Sequence, residues 1–78
     1  MIDAAQVREH MEVIGSDGHH VGRVDQLLGE EIELAKMDLG AGLKHHLIPR
    51  SWVESIADDK LKLGMSAEDA KARWRERD

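Results

Sequence analysis

Two apolar runs flank Gly15-Ser16-Asp17-Gly18, and that arrangement constrains this chain more than any other stretch of it. Glycine accepts a positive φ, and an aspartate side chain can bond its own backbone two residues on, so the tetrad reads as a β-turn. The runs on either side, Met11–Ile14 and His19–Leu28, then read as the strands of a hairpin. The second strand is irregular. Val21, Val24 and Leu27 recur every three residues, whereas a flat strand requires a spacing of two. One extra residue near Gly22 restores the alternation, and glycine inside a strand marks a bulge or a sharp bend.

The rest of the chain follows the same grammar. Gly29-Glu30 reads as the next turn, followed by a strand from Glu31 to Met37. In that strand Ile32 and Leu34 point inward, while Glu31, Glu33 and Ala35 point outward. Asp38–Gly42 carries no periodic pattern, and Lys44–Ile48 makes a fourth strand closed by Pro49, which cannot donate to a ladder. Trp52, Val53 and Ile56 return to the core. Ala57-Asp58-Asp59 turns into a strand at Lys60–Leu63, where Leu61 and Leu63 alternate with Lys60 and Lys62. Two helices bracket these strands. A short one at about residues 3–10 has Asp3 as N-cap and Gln6 completing a capping box. The other spans about residues 66–77, with Ser66 as N-cap, Glu68 and Asp69 in its first turn and Lys71 to Arg77 carrying bases toward its end.

Five or six short strands between close turns indicate a mainly β domain, and a small barrel leaves the fewest free edges. With 78 residues, the whole of 1–78 forms one domain, with strands within 11–63. Five Val, five Ile, eight Leu, four Met and two Trp supply one aliphatic core, and no Cys is present to staple it or to bind metal through sulfur. No apolar run approaches the roughly 20 residues of a membrane span, and no leader pattern opens the chain, so a soluble cytoplasmic protein is expected. A net charge of −5, with the one basic cluster (Lys71, Arg73, Arg75, Arg77) interleaved with acids, disfavours nucleic acid. The scarcity of aromatic rings removes base-stacking platforms as well.

Three segments together resemble a known family: Met11-Glu12-Val13-Ile14-Gly15-Ser16-Asp17-Gly18, then Val21-Gly22-Arg23-Val24-Asp25, then His45-His46-Leu47-Ile48-Pro49-Arg50-Ser51-Trp52-Val53. In this order they resemble the PRC-barrel superfamily. Over about residues 7–75 the chain is similar to a small bacterial family of uncharacterised single-domain proteins within or beside it. The resemblance implies a strongly bent β-barrel acting as a docking module. It implies no catalytic residue and no cofactor.

The chemistry-bearing side chains are few. His19, His20, His45 and His46 are the metal candidates, because imidazole is the commonest metal ligand. Adjacent residues on a strand point to opposite faces, so each pair offers one ring to a given face, and a site would need both pairs plus a carboxylate such as Asp17 or Asp38. The plainer reading is solvated rim histidines with one of His45/His46 partly packed. A pH response is a third reading, since protonating His10 and these four would take the formal charge from −5 to 0. Ser16-Asp17-Gly18-His19 contains the residue types of a triad, but a four-residue turn cannot converge them, and no Gly-x-Ser-x-Gly elbow occurs. Gly40-Ala41-Gly42 lacks the Gly-Lys of a phosphate loop. No catalytic residue, cofactor or small-molecule substrate is therefore assigned, and the chain is expected not to be an enzyme. Trp52 and Trp74 are the candidate anchors for a protein partner or for a homodimer, tryptophan being enriched at interface hot spots. The alternative is that both plug the ends of the barrel. The expectation is thus a PRC-barrel-like binding or assembly module, with a small metal- or ligand-binding protein using the His45/His46 face as the rival.

Overall fold

One strand joins the two halves of the protein in the computed structural model, which describes residues 4–35 and 45–77. Strand β1 (Glu12–Ile14) pairs antiparallel with the first half of β2 (His20–Leu28). From Val24 onward, β2 pairs instead with β3 (Glu31–Leu34). Next come β4 (His45–Pro49), β5 (Val53–Ala57), β6 (Lys60–Leu63), the helix α1 (Ala67–Arg73) and a final strand, β7 (Arg75–Arg77). Among the described residues the sheet order is β5-β6-β1-β2-β3-β4-β7, and every pair is antiparallel except β1 with β6.

The bend in β2 comes from two bulges. His20 lies opposite Ile14 and Gly22 opposite Val13, so Val21 is an extra residue. Val24 lies opposite Leu34 and Gln26 opposite Glu33, so Asp25 is a second. These insertions explain how Val21 and Val24, three apart, are both 1% exposed. A bulge beside Gly22 is what the broken alternation predicts, and the second, at Asp25, is an addition to it.

The expected barrel does not close. Among the described residues β5 and β7 are the two ends of one open seven-stranded sheet. Its concave side is filled by side chains and by α1: Val13, Ile32, Ile48, Leu61 and Leu63 are fully buried, and Ala67 and Ala70 of the helix join them. The helix packs against β2, adding a second layer to the core.

Three other expectations are corrected. At the N-terminus the described residues form only a 3-10 turn, Ala4–Gln6, in place of a helix over about 3–10; so few residues cannot offset the cost of helix nucleation. Asp3 lies outside the described residues. At the other end the helix stops at Arg73 rather than continuing to 77. Trp74 takes extended dihedrals while its N–H still bonds the Ala70 carbonyl, and its ring stacks on His46 with centroids 3.9 Å apart. The chain beyond it pairs with β4, adding a seventh strand outside the 11–63 range. Finally, Glu33 does not point to solvent. It is 3% exposed, and β3 is buried on both faces from Ile32 to Leu34.

The opening turn has a second partner. Gly18 adopts φ 82° and its N–H bonds the Gly15 carbonyl at 2.9 Å. Ser16 N–H donates to the Met65 carbonyl at 2.7 Å, and Asp17 Oδ1 accepts from the N–H groups of His19 and Ala67. The hairpin tip is therefore clamped onto the start of α1, whose N-cap Ser66 accepts from Asp69 N–H at 3.1 Å.

Candidate functional site

Asp25, Glu33 and His45 come from three neighbouring strands and converge on one face of the sheet. Asp25 is the second bulge residue of β2, lifted out of the ladder that its neighbours make with β3. Such an insertion re-aims a side chain. Glu33 lies opposite Gln26, whose Nε2 donates to Glu33 Oε1 at 2.8 Å, and opposite Leu47 on the other side. His45 precedes Leu47 by two on β4, so it shares that face with Glu33. Its Nδ1 donates to the Leu34 carbonyl at 2.9 Å and lies 3.8 Å from Asp25 Oδ2. One ligand-capable atom from each of the three residues lies within 4.8 Å of the other two. No other such grouping of three is present among the described residues.

The sequence-level candidates are dispersed. His45 and His46 occupy opposite faces of β4. His46 is 3% exposed, on the core side, stacked against Trp74 at an interplanar angle of 19°. His19 is exposed and pairs with Asp17 at 3.2 Å. His20 Nδ1 lies 2.9 Å from Glu12 Oε2. Asp17 thus serves the turn and the helix start, and Asp38 lies outside the described residues. Only His45 of the four metal candidates joins a cluster, and its partners, Asp25 and Glu33, were not among the expected ligands. Asp25 was hidden because its orientation depends on a bulge. The broken spacing between Val24 and Leu27 was the available signal. Glu33 sits in an alternating strand that reads as half-exposed, and nothing local says that its outer face is covered.

Two carboxyl groups on the other half of the sheet titrate below their usual range. The His20 hydrogen bond is the main cause at Glu12, with Lys60 and Arg23 adding to it. At Asp17 the N–H of His19 is the main cause, followed by that of Ala67. Near Glu12 lies a groove of about 430 Å³ running between the N-terminal segment and the β5–β6 turn. Its bases are already engaged: Arg8 pairs with Asp59, Lys60 with Glu12 at 3.6 Å, and Arg23 donates to the His10 carbonyl. Trp52 and Trp74 are both half-buried and pack against the core cluster.

Among the described residues no helix is long and apolar enough to cross a membrane. No curated protein and no solved structure matches the chain. Residues 7–71, which carry both bulges, the Asp25–Glu33–His45 cluster and most of α1, match the model of a family described as uncharacterised protein conserved in bacteria (DUF2171), and the chain belongs to that family.

Proposed function

We propose that the chain is a small non-enzymatic assembly module, PRC-barrel-like in its bent sheet, that joins a second copy of itself through the edge strand β5. The observation that carries this reading is the open sheet: among the described residues β5 hydrogen-bonds only to β6, leaving one row of backbone groups for another strand. The other edge is less suited. β7 has three residues, Arg-Glu-Arg, and charge of that kind blunts an edge. β5 has five residues with a single charge, Glu54, and exposes Ser55 and Ala57. The outward face of α1 is charged or small (Glu68, Asp69, Lys71, Ala72, Arg73), which favours the strand over the helix as the docking element. A register shift beside Glu54 shortens the regular run to Ser55–Ala57, so the association is weak and depends on concentration. The docking role of PRC-barrel domains in larger assemblies is consistent with the same use. A cytoplasmic setting, where no disulfide is needed, fits a chain without cysteine.

Sedimentation velocity over a micromolar to millimolar series tests the reading. Wild-type protein should move toward a dimer as concentration rises. Ser55→Lys, which sets a cation from each copy beside the two-fold axis, should stay monomeric with an unchanged far-UV spectrum. A wild-type protein that is monomeric throughout would sink self-pairing. The rival use of a His45/His46 face loses one of its two rings, because His46 faces the core.

A further inference from the structure

The geometry points to a site for one divalent first-row cation, of the zinc or manganese kind, held by Asp25, Glu33 and His45; we propose it independently of strand docking. The ligand set has the right chemistry. Two carboxylates and one neutral imidazole bring a charge of −2, which a divalent ion cancels, and mixed nitrogen and oxygen donors suit zinc and manganese.

The local architecture is arranged around these three groups. Glu33 is 3% exposed, and burying a carboxylate is costly unless charge and hydrogen bonds compensate it. Gln26 supplies one such bond, to Oε1, which fixes the carboxylate plane. His45 Nδ1 bonds the Leu34 carbonyl at 2.9 Å and is also the nitrogen that lies 3.8 Å from Asp25 Oδ2, so it ligates by exchanging that carbonyl for the cation. Asp25 reaches the cluster only because the bulge takes it out of the ladder.

The spacing is close to that of a bound state. Ligand atoms at about 2.0–2.2 Å from a zinc ion lie roughly 3–3.5 Å from one another. Three atoms within 4.8 Å therefore need to draw in by about an ångström. Asp25 is half-exposed, so its side chain has room to make that adjustment, and water fills the remaining coordination positions.

The test is calorimetric titration of the full chain with zinc chloride and, separately, manganese chloride, with thermal melting as a second readout. One equivalent should bind and raise the melting temperature. His45→Gln and Glu33→Gln should each weaken binding by at least about tenfold. Asp25→Asn, at a half-exposed position where the fold is not at risk, should do the same. A triple variant, His10→Gln, His19→Gln and His20→Gln, strips other imidazoles from the surface and should bind as the wild type does. The proposal is overturned if neither metal binds the wild type. It is equally overturned if binding survives Asp25→Asn and His45→Gln, or disappears in the triple variant. Because Ser55 is remote from these ligands in the sheet order, failure of the dimer test leaves this result unaffected, and the reverse also holds.

Discussion

Gly15 has no room for a side chain. A Cβ there would stand 2.2 Å from the Ala67 nitrogen and 2.7 Å from the Ser66 carbonyl carbon, both backbone atoms that cannot swing away. Gly15→Ala should therefore lower stability by about 1–3 kcal/mol or more, as overpacking does. Gly18 has open space around its Cβ position but φ +82°. Gly18→Ala should cost only about 1 kcal/mol, from the strained dihedral. Urea denaturation of the two variants checks the order, and equal losses would contradict it. The hairpin of β1 and β2 has a pH signature. Asp17 and Glu12 have folded-state pKa values below their ordinary 3.8 and 4.5. A depressed carboxyl contributes stability that is present above its unfolded value and lost as pH falls through the folded one, so the loss lies below about pH 4.5. The double variant Asp17→Asn, Glu12→Gln should show a flatter acid limb in a melting-temperature profile, with little change near neutrality. At this scale the turn was legible, because glycine and aspartate act through their own backbone. The contact of Gly15 with Ala67, fifty-two positions later, leaves no local mark in the sequence.

Among the elements, the end of α1 shows where periodic reasoning stops. Lys71, Arg73, Arg75 and Arg77 suit a helix C-terminus, and the pattern of charge alone extends the helix to 77. What ends it earlier is tertiary: the Trp74 ring settles on His46, and the edge of β4 accepts the following residues as β7, reinforced by the Arg75–Glu31 ion pair. Propensity yields to such contacts routinely. Trp74→Ala removes the stack and should lower stability by about 2 kcal/mol, less than a fully buried tryptophan because the ring is half-exposed. The elution volume on gel filtration should not change with concentration any differently from wild type. A variant that melts normally but elutes differently would make Trp74 an interface residue instead. The bulge at Gly22 was readable because a hydrophobic spacing of three is foreign to a strand. The burial of Glu33 was not, since an acid between Ile32 and Leu34 obeys the alternation perfectly whichever way its face is covered.

For the molecule as a whole, the six strands within 11–63 and the turns between them followed from sequence patterning; the seventh strand and the connectivity did not. Strands of alternating pattern say which residues face inward but not which strand lies beside which. A closed barrel satisfies such a pattern most economically, yet the end strands β5 and β7 remain unpaired with each other among the described residues. The parallel pairing of β1 with β6 has its own consequence. Val13 sits beside Leu61, so the chain must close a loop of forty-eight positions before that contact forms. Every local hairpin can be made first, yet the β5–β6 hairpin stays unjoined to the rest of the sheet until this long closure has lost its entropy. Refolding from denaturant should accordingly fall in the millisecond-to-second range of non-local topologies, and completion within a microsecond temperature-jump window would contradict it. The clock of this small protein is set by the parallel pairing of β1 with β6.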